Sequence, residues 1–170
     1  MTLSVVTTLY KSKVYLEVFL QEILSSIETI EVKDFELIFV NDGSPDDSVA
    51  YLLERKKDIS QIKIIDLSRN FGHHYAIQAG LNYTSGEYVF LIDNDLETPP
   101  SVLVKFFKEM QNDTTLDVVY GFQETRKGNF IEKKAGSIFW VLINKLSDTK
   151  IPHNILTERL MTKQYVNELL

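Results

Sequence analysis

The chain has 170 residues, 44% of them hydrophobic and 25% charged, with a formal charge of -6 and no cysteine. That is enough chain for one soluble domain with a substantial core. It excludes disulfide frameworks and thiolate metal sites, and argues against a general nucleic-acid binder. The longest wholly apolar run, Ile138 to Ile143, is far too short to cross a bilayer, and no basic segment followed by a long apolar stretch opens the chain. Charge is unevenly placed: residues 1–120 hold 10 basic and 19 acidic side chains, a balance of -9, and residues 121–170 hold 8 and 5, a balance of +3. The later part either faces something anionic or is a solvated Lys-rich surface.

In chain order, Leu3 to Thr8 reads as a first strand, and Val14 to Ile27 as a helix with apolar residues at 16, 19, 20, 23, 24 and 27. Glu36 to Val40 is a second strand ending in Asn41-Asp42-Gly43-Ser44. Ser44-Pro45-Asp46-Asp47 then has the form of a helix start, with a Ser cap, Pro at the first position and an acid at the third. Ile62 to Leu67 is a third strand, Ser68 to Gly72 a loop, and Tyr75 to Leu81 a helix whose cap is expected at Asn70 and whose amino end would attract phosphate. Tyr88 to Ile92 is a central strand, Val102 to Met110 a helix, and Asp117 to Tyr120 a fifth strand. A loop from Phe122 to Asn129, a helix from about Phe130 to Leu146 and a last helix around Leu160 to Leu169 complete the reading. Strands alternating with helices predict right-handed crossovers and a mainly parallel α/β sheet in three layers. One domain over residues 1–170 is expected, continuing past Leu170, because the chain stops inside an amphipathic stretch.

The chemistry concentrates in Gly86 to Pro100. An apolar run bounded by Gly and Pro suits a strand buried on both faces, and this one delivers Asp93-Asn94-Asp95 to its carboxyl end, where ligands gather in parallel sheets. Carboxylates at i and i+2 of an extended chain project to one side and can share a hard cation, Mg²⁺ or Mn²⁺ rather than zinc. A solvated turn or helix cap is the plain alternative. Asp42 ends the second strand beside Gly43, where a carboxylate can meet a ligand while Gly admits it close to the backbone; an Asx-type turn is the alternative. Arg69 reads as a phosphate contact or a surface ion pair. His73 and His74 are adjacent and cannot share one ligand face in a helix, so they read as packing or substrate-proximal polar groups. Phe139, Trp140, Leu142 and Ile143 read as core. No Gly-x-Gly-x-x-Gly follows the first strand and no Gly-Lys-Ser/Thr loop occurs, which removes dinucleotide and P-loop chemistry.

The order SVVTTLY (4–10), FVNDGSPDDS (39–48), LSRNFGHHYAIQAGL (67–81), GEYVFLIDNDLETPP (86–100), VVYGFQETRKG (118–128), LINKLSDTKIPHN (142–154) and RLM (159–161) resembles family 2 glycosyltransferases of the GT-A fold. The resemblance is to their polyprenyl-phosphate branch, which includes dolichol-phosphate mannose synthases and bacterial lipid-carrier glucosyltransferases. It implies a Rossmann-like three-layer sandwich and an inverting, Mg²⁺- or Mn²⁺-dependent transfer of sugar. The donor would be a nucleoside diphosphate sugar, UDP favoured, and the acceptor a polyprenyl phosphate or a saccharide. Thr8, Leu9 and Tyr10 would line the base pocket, with Arg69 also on the donor, and Asp42 would bind the uracil or ribose end. Asp93 would lie near the ribose and phosphates and Asp95 would be the direct metal ligand. Arg126 and Lys127 would meet the pyrophosphate or the acceptor phosphate, and with Lys133 and Lys134 an anionic headgroup at the cytoplasmic face of a membrane. Cell-envelope polysaccharide synthesis is the implied setting, with no nucleic-acid partner.

Three positions depart from that pattern. Thr7 stands where Pro is usual, Lys11 where Asn is common, and Thr157 where the polyprenyl-phosphate branch carries an Asp two residues before Arg-Leu-Met. Glu158, one place along, is then the candidate for a base on the acceptor side, or simply a helix-starting acid. Two alternatives stay open: a nucleotide-sugar-binding domain without turnover, and an aspartate-nucleophile phosphatase, which would need paired acids downstream of Asp95.

Overall fold

The structure, a computed structural model, describes residues 2–122 and 155–170. Its elements run β1 (Thr2–Leu9), α1 (Leu16–Thr29), β2 (Asp34–Asn41), α2 (Ser48–Arg55), β3 (Ile62–Asp66), α3 (His73–Asn82), β4 (Tyr88–Leu91), α4 (Val102–Asn112), β5 (Val118–Phe122), β6 (Ile155–Thr162) and α5 (Lys163–Leu169). The strands form one sheet in the order β3-β2-β1-β4-β6-β5. β1 pairs in parallel with β2 and β4, and β2 with β3, as the alternation predicts; β4 pairs antiparallel with β6. Contacts divide the chain into two units, Met1–Val119 with Thr157–Leu170, and Tyr120–Leu156.

The larger unit has a core on each face of its sheet, because apolar residues occupy both sides of every central strand. Leu3, Val5 and Leu9 of β1, Leu37 and Phe39 of β2, and Phe90 of β4 meet Phe19 and Ile23 of α1, Leu52 of α2 and Phe106 of α4. The residues between them, Val6, Ile38, Val40, Val89 and Leu91, meet Ala76 and Leu81 of α3 and Val166 of α5. This period-two division of strands with apolar residues on both faces is what a helix-covered parallel sheet requires. Each such side chain withdrawn from water stabilises the fold by about 1.5–3 kcal/mol. Edge-on ring pairs, Phe19 with Phe39 at 6.1 Å and Phe90 with Phe106 at 6.2 Å, lie on the first face. On the second face α3 comes closest at Gly80, where a Cβ would stand 2.5 Å from Val6 Cγ1 and 2.9 Å from Val40 Cγ2.

At the amino-terminal edge of the sheet, Glu36 binds the strand starts together. Its carboxylate accepts from Ser4 Oγ, from Ser85 N at 2.7 Å and Ser85 Oγ at 2.8 Å, and pairs with the Lys63 ammonium. Burial alone would raise this carboxyl, but Lys63 and the two serines outweigh it and hold it at about 2. Beside it, Lys163 Nζ donates to Thr84 O at 2.6 Å and Thr84 Oγ1 at 2.8 Å, anchoring the start of α5.

Three expected boundaries change. α2 begins at Ser48, because Ser44 to Asp47 forms a turn around Asp46, whose carboxylate accepts from Ser44 Oγ, Ser48 Oγ, Ser48 N and Lys13 N. α3 begins at His73 with Gly72 in the cap position, so Asn70 does not cap it. The last helix shrinks to Lys163–Leu169, capped by Thr162 Oγ1, and Ile155–Thr162 is a strand. Here pairing to β4, with Tyr88 opposite Thr162 and Leu91 opposite Arg159, overrides a helical reading. The expected loop beyond Phe122 and the helix at 130–146, with its apolar residues at 139–143, lie outside the described residues.

Candidate active site

β1 has β2 on one side and β4 on the other, so the chain leaves their carboxyl ends in opposite directions and opens a crevice between the loops. Asp93 follows the end of β4 by two residues. Asn94 holds this bend to β1: buried to 5% exposure, it donates from Nδ2 to Thr8 O at 2.6 Å and Thr7 Oγ1 at 3.2 Å. The sequence alone places Asp93 and Asp95 at i and i+2 of an extended chain. The strand ends at Leu91, however, so Asp93 and Asp95 are not neighbours along an extended chain; Asn94 takes the inward position. Asp95 is exposed, and its Oδ1 accepts from Glu97 N at 2.9 Å in a local turn that leaves Leu96 at φ 63°.

Asp93 is where the elements converge. His73 Nε2, from the first turn of α3, lies 3.6 Å from Asp93 Oδ1, while His73 Nδ1 shares a 3.1 Å hydrogen bond with Thr8 Oγ1. Burial pushes the Asp93 carboxyl above the ordinary range; His73 opposes that, the Glu158 and Asp95 charges add to it, and the Thr157 hydroxyl opposes it again. Thr8, His73, Asp93, Asp95, Thr157 and Glu158 thus form one group, drawn from the ends of β1 and β4, the start of α3, and β6. His73 therefore belongs to the polar group at the crevice and not to the packing, whereas the exposed His74 lies outside the group. Glu158 is 5% exposed on a strand, not at a helix start, and its Oε2 lacks a hydrogen-bond partner among the described residues. Strand alternation puts it with Leu160 on the first core face, opposite to Thr157 and Met161.

Other expected residues stand apart from that group. Leu9 is wholly buried in the first core and offers a ligand only its backbone, whereas Tyr10 is 51% exposed with Lys11 Nζ 5.6 Å from its ring centre. Asp42 is 3% exposed, and its two oxygens accept from Phe71 N at 2.7 Å and Gly72 N at 3.0 Å. The Asx-type turn expected there is made by Asn41, whose Oδ1 accepts from Ser44 N at 3.0 Å. Arg69 is exposed, with its guanidinium 4.5 Å from the Phe71 ring centre. Arg126, Lys127, Lys133 and Lys134 lie outside the described residues.

A hard divalent cation fits this donor set in part. The carboxylates of Asp93 and Asp95 supply only oxygen, and the like charge that Glu158 and Asp95 put on Asp93 is what a cation relieves. Among the described residues no three His, Asp or Glu side chains stand close enough to hold an ion alone, so it would complete its shell with oxygens of a ligand. No described helix is long and apolar enough to cross a membrane.

The chain is similar to known glycosyltransferases. The chain is 37% identical over 138 residues to YkcC of Bacillus subtilis, described as an uncharacterised glycosyltransferase, covering 81% of this chain and 42% of that protein. It is 32% identical over 143 residues, 84% of this chain and 43% of the other, to an undecaprenyl-phosphate 4-deoxy-4-formamido-L-arabinose transferase of Photorhabdus laumondii. Among solved structures it superposes with a TM-score of 0.64 and 22% identity on glucosyl-3-phosphoglycerate synthase from Mycobacterium tuberculosis, in complex with Mn²⁺, UDP and glucosyl-3-phosphoglycerate. That likeness covers 96% of this chain and 57% of that one, and the shared fold is GT-A. The chain spans about half the length of the curated relatives it matches. With residues 4–170 matching the family model described as glycosyl transferase family 2, this chain belongs to that family.

Proposed function

We propose that this chain is the donor-binding part of an inverting, metal-dependent glycosyltransferase that moves a sugar from a UDP-sugar to a polyprenyl phosphate. The observation that carries this reading is the convergence of Asp93, Asp95, Thr8 and His73 at the crevice between β1 and β4. Thr8, Tyr10 and Arg69 face the nucleotide, and Asp93, oriented by His73 and Thr157, meets the ribose and phosphate end. By the family resemblance, Arg126 and Lys127 would meet the pyrophosphate or the acceptor phosphate. Asp95, with Asp93, would hold Mg²⁺ or Mn²⁺, which when bound supplies Lewis-acid stabilisation to the departing diphosphate. In the transfer an acceptor oxygen forms a bond to the anomeric carbon from the face opposite the diphosphate. The carbon–oxygen bond to the diphosphate breaks, its electron pair leaves with the nucleotide, and the configuration inverts.

A phosphate acceptor fits the acceptor side because it attacks already ionised and needs no proton removed, whereas a sugar hydroxyl needs a base. Glu158 is buried on the core face of β6, a poor place from which to reach an acceptor hydroxyl. Thr157, where the family branch carries Asp, donates to Asp93 and cannot act as a base. The relative that acts on undecaprenyl phosphate supports the same acceptor class. Lys133 and Lys134 would add to contact with an anionic headgroup at the cytoplasmic membrane face.

Calorimetry with UDP, GDP and dTDP, each with and without Mn²⁺, tests the donor half: UDP should bind best, only with metal, and Asp95→Ala should abolish the metal-dependent gain. Equal binding by Asp95→Ala refutes that role. Turnover with short-chain polyprenyl phosphate, surviving Glu158→Gln, is expected for the acceptor half; activity confined to free sugars and lost in Glu158→Gln would overturn it.

A further inference from the structure

We infer that Asp42 is a positioning residue: its carboxylate clasps the loop after β3 and, through that loop, sets Arg69 against the nucleotide. The inference rests on the donor-site reading above but changes how one part of the site works. Each carboxylate oxygen accepts a backbone amide, one from Phe71 N at 2.7 Å and the other from Gly72 N at 3.0 Å, and the residue is only 3% exposed, so these amides are its hydrogen-bond partners in the ligand-free chain. Its own N–H donates to Leu9 O at 3.0 Å, so Asp42 is tied to the end of β1 while it holds the loop.

The rest of the turn is built to the same end. Gly43 adopts φ 62°, and a Cβ there would stand 2.5 Å from Asn70 N and 2.7 Å from Arg69 C, so the two loops meet backbone to backbone. The preceding residue keeps the strands aligned, with Asn41 Nδ2 donating to Asp66 Oδ1 at 2.7 Å and Asn41 O accepting from Leu67 N at 3.0 Å. Phe71 then joins clasp and cation: its N–H is held by Asp42, and its ring lies 4.5 Å beneath the Arg69 guanidinium. Arg69 makes no ion pair among the described residues, which leaves its charge for an anionic or carbonyl oxygen of a ligand. The held segment runs directly into His73, the residue that touches both Thr8 and Asp93. One buried carboxylate therefore locates both the cation and the imidazole.

A double-mutant cycle separates this role from direct ligation. UDP affinity in Mn²⁺ is measured for the wild type, Asp42→Asn, Arg69→Ala and the double variant. Each single change is expected to weaken binding about tenfold, and the double by little more, because a displaced loop has already lost Arg69. A double variant weakened by the product, about a hundredfold, overturns the inference, since independent contacts add in free energy. Gly43→Ala, which leaves the Asp42 carboxyl in place but pushes on Asn70, should weaken UDP similarly and couple to Arg69→Ala in the same way; unchanged affinity also overturns it. In the ligand-free protein, amide exchange at Phe71 and Gly72 should speed up about tenfold or more in Asp42→Asn, and unchanged exchange refutes the clasp. If the wild type binds no nucleoside diphosphate, the donor-site reading fails, while the exchange measurement still decides the clasp.

Discussion

Glu36 predicts a pH dependence of stability that has nothing to do with the crevice. Its carboxyl is held at about 2 in the folded chain against an ordinary 4.5, so between those values unfolding takes up a proton. Stabilisation is therefore complete above about pH 4.5 and is lost as pH falls toward 2. At about 1.4 kcal/mol per tenfold change in acidity, the whole interval corresponds to about 3 kcal/mol. Lys63, the partner that contributes most to the lowering, is 54% exposed, so solvent screening reduces this to about 2 kcal/mol. By pH 3 more than half of that should have gone. Asp46 is also held at about 2 and drifts in the same direction, so the wild type alone cannot isolate Glu36. Comparison with Glu36→Gln does. Urea unfolding followed by circular dichroism should find Glu36→Gln less stable by about 2 kcal/mol at pH 7 and by about 1 kcal/mol at pH 3, with a common slope. A difference that stays the same at both pH values would show that the carboxylate's charge is not what binds Ser4, Ser85 and Lys63 together.

Gly80→Ala should lower stability by about 1–3 kcal/mol even though Ala favours helix, because its Cβ would lie 2.5 Å from Val6 Cγ1; an unchanged or raised melting temperature would show that α3 can shift off the sheet freely. Asn94→Ala removes the side chain that bonds to Thr8 O and Thr7 Oγ1 and should cost about 1–3 kcal/mol while weakening metal-dependent UDP binding, since the bend carrying Asp93 loses its hold on β1. A stability loss with unchanged UDP affinity would confine Asn94 to the fold.

The parallel half of the sheet was legible because its signals are local. β1 to β4 are short, mainly apolar runs, three of them ending at or near Asn or Asp, and the helices between them carry a 3.6-residue period over one face; the structure moves their ends by only a few residues. Capping was less legible, since Ser44-Pro45-Asp46 has every mark of a helix start. Three of the four bonds to Asp46 come from Ser44 and Ser48, residues of the same turn, but the fourth comes from Lys13, which lies 33 positions away. Asp42 shows the same limit at the site. Its position at a strand end marked it as important, but its partners are the amides of residues 29 and 30 places further on, which no spacing rule reaches.

β6 shows most clearly how tertiary pairing decides what local pattern leaves open. Leu156, Leu160 and Met161 suit a helix as well as a strand, but an unpaired β4 would leave a row of backbone groups open in the middle of the sheet, and pairing Leu91 to Arg159 satisfies them. Continued two residues, that register brings Thr157 beside Asp93, where its hydroxyl donates to the carboxylate. An Asp at 157 would instead face Asp93 with a second negative charge, in a group that already contains Asp95 and Glu158. The departure from the family pattern at 157 and the Thr8–His73–Asp93 contacts therefore belong together. With the Thr157 hydroxyl bonded to Asp93 and the His73 imidazole 3.6 Å away, this chain surrounds the carboxylate with polar groups and adds no further carboxylate to it.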